Sequence, residues 1–107
     1  MNDCIFCKIR DLEIPTEFVY EDEEVMVIND LHPVKPIHMI VIPKKHVAEF
    51  VAVEDLTIFQ KLGEVAQRVI RERELTTKGY KLVINGGGSQ EVDHLHIHIM
   101  GPMNSLK

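Results

Sequence analysis

The chain lacks any excess of positive charge: 12 Lys and Arg stand against 17 Asp and Glu, a formal charge of −5, with no Lys/Arg-rich run. Long DNA or RNA is therefore excluded as a partner, because such binding rests on neutralising many backbone phosphates. It also lacks an apolar stretch near the roughly 20 residues that cross a bilayer. The longest candidate, Ile37 to Pro43, is interrupted by His38, so no membrane span is expected. The start Met1-Asn2-Asp3-Cys4 has no basic segment followed by an apolar run, which argues against a secretory leader and for a cytoplasmic protein. Only two cysteines are present, Cys4 and Cys7. In a reducing compartment they are thiols or metal ligands before they are a disulfide. Repeats, low-complexity segments and linkers are absent as well, and 107 residues make one domain, 1–107.

What is there is the composition of a globular protein, 45% hydrophobic and 27% charged. Ile5, Phe6 and Ile9 recur at roughly helical spacing from Cys4 to Arg10, predicting a short N-terminal helix. Glu17–Glu21 and Val25–Ile28 flank the acidic Asp22-Glu23-Glu24, a hairpin pattern. The segment Asn29 to Pro36 carries two prolines and must be a loop, whereas His38–Ile42 reads as a strand covered on both faces. From Glu54 to about Leu75, Leu56, Phe59, Leu62, Ala66, Val69 and Ile70 step by three and four, predicting one long amphipathic helix closed by Gly79. Tyr80–Ile84 and Asp93–Met100 read as two more strands, separated by the flexible Asn85-Gly86-Gly87-Gly88-Ser89. The order predicts an α+β domain with a mostly antiparallel sheet.

Three features carry chemistry. In His94-Leu95-His96-Ile97-His98 the histidines alternate with apolar residues, so one strand would present a row of imidazoles about 13 Å long, each titrating near neutrality. Two neighbours in such a row can share a zinc ion, but a third rarely completes the same tetrahedron without a bend. Gly86 to Gly88 are either an ordinary hairpin connection or, lying just before the histidines, a cradle for a phosphate or oxyanion. Cys4-Ile5-Phe6-Cys7 is, on spacing alone, ambiguous among redox pair, metal site and accident.

The run Gln90-Glu91-Val92-Asp93-His94-Leu95-His96-Ile97-His98-Ile99 resembles the histidine-triad (HIT) nucleotide-binding proteins. Cys4-Ile5-Phe6-Cys7-Lys8-Ile9, Ile14-Pro15, Asp30-Leu31, Pro36-x-His38, Val41-Ile42-Pro43-Lys44-Lys45-His46 and Asn85 follow that family's order and spacing, so the likeness spans nearly the whole chain. The resemblance implies about five antiparallel strands with one long and one short helix, the sheets of two copies being joined in a homodimer. It implies a hydrolase or transferase acting on purine nucleoside phosphoramidates or related mixed phosphates, with a purine nucleotide such as AMP as a bound partner. By this matching His96 is the nucleophile, and His98 and His38 hold the phosphate or orient it. Asp30 accepts from the ribose hydroxyls, while Ile5, Phe6, Ile9, Ile14, Ile28 and Leu31 form the base pocket or simply pack. Asn85, Gln90, Glu91 and Val92 lie around the phosphate and leaving group. Cys4, Cys7, His46 and His94 would hold a structural zinc. Glu91 stands where many members have serine, and Asp93 where the residue is usually bulky. No tryptophan follows Gly101-Pro102, so the C-terminal extension by which some relatives contact substrate is expected to be short or missing. The readings that compete with this one are a nucleotide-binding regulatory module with little catalysis, a dinucleoside polyphosphate hydrolase, and a zinc-dependent hydrolase using the row as ligands.

Overall fold

The computed structural model describes residues 3–103. Helix α1 is Ile5–Arg10 and helix α2 Thr57–Glu72, and the strands are β1 Phe18–Glu21, β2 Val25–Asn29, β3 Ile37–Pro43, β4 Lys81–Val83 and β5 Ile97–Gly101. They form one antiparallel sheet in the order β1-β2-β3-β5-β4. The expected α+β class and the number of strands and helices are as observed.

Period-two alternation divides the central strands between two layers. Val25, Val27, Met39, Val41, Leu95, Ile97 and Ile99 pack beneath α2 against Leu62, Val65, Ala66, Val69 and Ile70. Met26, Ile28, Ile40 and Ile42 point the other way and meet Phe6 and Ile9 of α1. The six-residue α1 covers only part of that face. The remainder carries His38, His96 and His98.

Several boundaries differ from those read off the sequence, each for a local reason. Helix α2 starts at Thr57 rather than Glu54, because the Asp55 carboxylate accepts from the Thr57 amide at 3.0 Å and its hydroxyl at 2.7 Å. Leu56 thus falls outside the helix and is exposed. The helix ends well before Gly79. Glu74 takes a left-handed φ of 59°, and the Leu75 amide reaches back to the Ile70 carbonyl, which turns Leu75 into the core. Strand β4 is shorter than Tyr80–Ile84.

The last strand is the largest correction: it begins at Ile97, not Asp93. The register Val41↔Ile97 would next bring Pro43 opposite Leu95, and proline has no N–H for the ladder. Instead the Leu95 amide bonds to the Val47 carbonyl, and the His94 amide turns back to Val92. The alternation of faces survives, but the expected straight row of imidazoles does not.

Candidate functional site

The bend before β5 separates the three histidines of the motif into two groups, and the hydrogen-bond partner of each ring settles where its proton sits. A backbone carbonyl can only accept and a backbone amide can only donate, so each such contact decides a tautomer.

His94 is fully buried and belongs to the first group. Its Nε2–H donates to the Pro43 carbonyl at 2.7 Å, which leaves Nδ1 as a lone pair. Three further donors converge on that nitrogen: Cys4 Sγ at 3.2 Å, Cys7 Sγ at 3.6 Å and His46 Nδ1 at 3.1 Å, with Cys7 Sγ also 3.4 Å from His46 Nδ1. A tetrahedral ion with sulfur at ~2.3 Å and nitrogen at ~2.0–2.1 Å implies edges of about 3.3–3.8 Å. The four residues therefore fit a closed Cys2His2 metal site. The Pro43 carbonyl supplies the outer hydrogen bond that metal-bound imidazoles characteristically make. Burial pushes the His94 pKa from 6.5 down to about 4, the bond to Pro43 offsetting part of the shift, and burial raises the Cys4 thiol. The Cys7 amide donates to Cys4 Sγ at 3.3 Å, so the spacing that was ambiguous in sequence is also the first turn of α1.

The second group is His96, His98, His38 and Asp30. His96 is 5% exposed, and its Nδ1–H donates to the His94 carbonyl at 2.7 Å, so Nε2 keeps its lone pair. That nitrogen has no protein partner among the described residues, and no unpartnered side-chain atom there is sealed from solvent, so in this tautomer Nε2 is an open lone pair. The Phe6 ring stands edge-on to His96 at 5.1 Å and to His94 at 5.7 Å.

His38 and His98 lie diagonally across β3 and β5, where His38 pairs with Met100 and His98 with Ile40. The Val34 amide donates to His38 Nδ1 at 3.2 Å, which puts the His38 proton on Nε2. Nε2–H in turn faces His98 Nδ1 at 2.9 Å, so His98 carries its own proton on Nε2 as a donor. Burial lowers the His98 pKa, as do the neighbouring His96 and His38, while Asp30 and Glu91 act in the opposite direction. Asp30 Oδ2 is 3.3 Å from His38 Nε2 and 3.8 Å from His98 Nδ1. These three residues also resemble a metal-binding set. The Val34 bond argues otherwise, since His38 Nε2 cannot ligate while it holds the ring's proton.

The residues expected around a nucleotide divide. Phe6, Ile9 and Ile28 are each 5% exposed and belong to the core, whereas Ile5 is 40% and Leu31 84% exposed. Val92 packs against the α1 cluster, preceded by the half-buried Gln90 and the exposed Glu91. Asn85 follows Val83, the β4 partner of His98, by two residues. A cavity of about 480 Å³ is lined by Asp3, Cys4, Ile5, His46, Glu91, Val92 and Asp93. A larger one of about 560 Å³ opens between Lys44–Ala48, His46 included, and the start of α2. Neither is lined by His38, His96 or His98.

The expected anion cradle is not offered by the glycine loop. The Gly87 amide is taken by Glu49 Oε1 at 3.0 Å, the Gly88 amide by Gln90 Oε1 at 3.0 Å, and the Ser89 amide by the Gly86 carbonyl. A Cβ at Gly86 would stand 2.6 Å from Glu49 Oε1, so glycine there admits the carboxylate. Sequence reasoning did not find Glu49, nor the backbone groups of Val34, Pro43 and His94 that set the rings. His32 and Lys45 are exposed, and Lys44 pairs with Glu21 at 2.6 Å.

Known proteins share this sequence pattern and fold. The HIT domain profile matches residues 11–105. Protein HitA of Neisseria gonorrhoeae is 43% identical over 105 residues, covering 94% of this chain and 97% of that protein. The crystal structure of a HIT family hydrolase from Legionella pneumophila superposes with a TM-score of 0.86 at 38% identity, over 92% of each chain. That of a histidine triad nucleotide-binding protein from Candida albicans gives 0.83 at 30% identity, over 91% of this chain and 73% of the other.

Proposed function

The chain belongs to the HIT domain family, and from that premise we propose that it splits purine nucleoside phosphoramidates or related mixed phosphates through a covalent intermediate on His96. One observation carries the reading: the 2.7 Å bond from His96 Nδ1–H to the His94 carbonyl, which leaves Nε2 as an accessible lone pair. A neutral imidazole so oriented is a competent nucleophile at neutral pH, and two displacements have lower barriers than one.

In the first displacement the Nε2 pair forms a bond to the α-phosphorus, the substrate P–N bond breaks, and the leaving nitrogen takes a proton from solvent and departs as an amine. The ring then carries positive charge, which strengthens its Nδ1–H bond to the His94 carbonyl. His98 donates from Nε2 to a phosphate oxygen, backed by His38. In the second displacement water bonds to phosphorus, the P–Nε2 bond breaks, a proton passes to solvent and the nucleoside monophosphate leaves. Asp30 holds the ribose hydroxyls. Ile5, Leu31 and the rims of Phe6, Ile9 and Ile28 flank the base, with Asn85, Gln90, Glu91 and Val92 toward the leaving group.

Cys4, Cys7, His46 and His94 would hold zinc as a structural ion. Bound there it supplies rigidity rather than chemistry, because four protein donors leave no open position. Those ligands tie the head of α1 to the loop after β3 and the bend before β5. Pairing of two copies at the β4 edge would cover Tyr80 and Leu82, which are 44% and 48% exposed, and supports the homodimer.

His96→Ala should reduce hydrolysis of an adenosine phosphoramidate by at least about 10³-fold while the circular dichroism spectrum is retained. Rapid quenching of the native protein should trap a nucleotidyl adduct on His96. Undiminished turnover by the variant removes the proposal. AMP binding without turnover of any phosphoramidate or dinucleoside polyphosphate would instead mark a regulatory module.

A further inference from the structure

Cys4 and Cys7 are the only cysteines of the chain, and both are thiols. They are placed to bond to each other as well as to a metal. The Lys8 amide closes the first turn of α1 on the Cys4 carbonyl at 3.1 Å, so the two α-carbons stand about 5 Å apart, within the roughly 4.4–6.8 Å that a disulfide bridges. Their sulfurs lie within 4.8 Å of each other, and both face His94 Nδ1, at 3.2 Å and 3.6 Å. The two thiols differ in access. Cys4 is half-buried and lines the cavity of about 480 Å³ with Ile5, Glu91 and Val92, whereas Cys7 is 2% exposed and is not among its walls. A reagent entering there meets Cys4 first, with Cys7 behind it. Asp3, Glu91 and Asp93 line the same cavity and no lysine or arginine does, so the approach favours a cationic reagent.

We propose that Cys4 and Cys7 are a site of reversible oxidation by small disulfides, and that the bond between them withdraws His94 from the thiol cluster. The Cys4 thiolate attacks one sulfur of the incoming disulfide. A mixed disulfide on Cys4 forms, the reagent's S–S bond breaks, and the departing thiolate takes up the proton that Cys4 gave up. The Cys7 thiolate then attacks the Cys4 sulfur, the Cys4–Cys7 bond forms, and a second small thiol leaves with the Cys7 proton. The protein loses two electrons and two protons, and the reagent gains them. The sulfurs then no longer serve as thiolate ligands, and His46 and His94 alone cannot close a tetrahedral site. His94 joins this cluster to the second group of histidines, because its ring meets both sulfurs while its carbonyl holds His96 Nδ1–H at 2.7 Å. Oxidation therefore loosens the bend before β5 from α1 and relaxes the hold on the His96 tautomer. The effect on turnover alone rests on the nucleotide reading of the site.

The probe is cystamine, a cationic disulfide, added to the native protein with and without bound zinc at about pH 8.5, where a thiol raised by burial still yields thiolate. Peptide mapping should show a Cys4–Cys7 disulfide and no lasting cysteamine adduct. The zinc-loaded protein should lose its metal to a chelating dye as the thiols disappear, and dithiothreitol should restore both the thiols and the capacity for zinc. Cys7→Ser should stop at a cysteamine adduct on Cys4, and Cys4→Ser should react at least about 10-fold more slowly, because the remaining thiol is shielded from solvent. In the oxidised native protein the ring ¹⁵N signals of His96 should broaden between tautomers, and kcat for an adenosine phosphoramidate should fall about 5-fold, the scale of one hydrogen bond. Lasting adducts on the native protein, metal retained once the disulfide has formed, a Cys4→Ser variant that reacts as fast as the native chain, or a His96 spectrum unchanged by oxidation would each overturn the proposal. Should either variant fail to fold, the mapping, metal release and ring spectra of the native protein decide it. Absence of turnover before oxidation would defeat the hydrolase reading and leave those three measurements to judge the cysteine pair.

Discussion

Phe6→Ala should destabilise the protein by about 3 kcal/mol and Phe6→Leu by about 1–2 kcal/mol, although both lie in a helix of six residues. The ring is 5% exposed and packs among Ile9, Met26, Ile28, Ile40 and Ile42. Truncating a buried phenylalanine costs about 3–5 kcal/mol. The lower end applies here, because so short a helix cannot persist off the sheet and its local detachment caps the loss. Leucine keeps most of the apolar volume but loses the two edge contacts to His94 and His96, each worth about 0.5–1.5 kcal/mol. Urea unfolding followed by circular dichroism at one protein concentration measures both, and calorimetric titration with AMP on the leucine variant measures binding. A loss below about 1 kcal/mol for Phe6→Ala would refute the assignment of this ring to the core. So would a leucine variant of native stability that binds AMP ten times more weakly, an outcome on the order of 1.4 kcal/mol that would make Phe6 a wall of the base pocket.

Cys7→Ser should abolish tight zinc binding and lower the unfolding midpoint, checked by metal analysis of the purified protein alongside a thermal melt. An unchanged metal content would remove the Cys2His2 assignment. Stability should also fall in acid. His94 has a folded pKa depressed to about 4 from 6.5, so the unfolded chain takes up its proton first. Its contribution is present above about pH 6.5 and is lost as the pH falls toward 4. Protonation of its Nδ1 also competes with any bound metal, which acts in the same direction. Equal urea midpoints at about pH 7.5 and about pH 5 would contradict this. Glu49→Ala should release the Gly87 amide and speed its hydrogen exchange by about 10-fold or more, and unchanged exchange would show that the 3.0 Å bond does not hold the loop.

Much of the fold was legible because burial imposes a period. The three- and four-residue steps of Leu62, Ala66, Val69 and Ile70 became the face of α2 beneath the sheet. The alternation of Leu95, Ile97 and Ile99 with the histidines correctly placed the two sets on opposite faces. What the period could not show was where pairing stops. His94 and His96 precede β5 although their pattern is that of a strand, since the limit is set by Pro43 on another element. The glycine loop misled in a different way: its composition permits an anion cradle, but an acidic side chain 38 residues away had already taken the Gly87 amide.

The sequence by itself determined which residue types meet: a Cys-x-x-Cys segment at the first turn of a helix, a proline-bounded strand, and histidines confined to one face. Side-chain identity and backbone period are local properties, and both are written in the chain. Only the tertiary structure decided what each imidazole can do. His94 turns Nδ1 toward Cys4, Cys7 and His46 because its other nitrogen meets the Pro43 carbonyl, 51 residues away. His98 becomes a donor through His38, 60 residues away, whose own proton is set by the Val34 amide. His96 presents Nε2 because the bend before β5 folds the His94 carbonyl onto Nδ1. An imidazole is nucleophile, ligand or donor according to which nitrogen carries the proton. That choice belongs to the neighbours the fold brings to it.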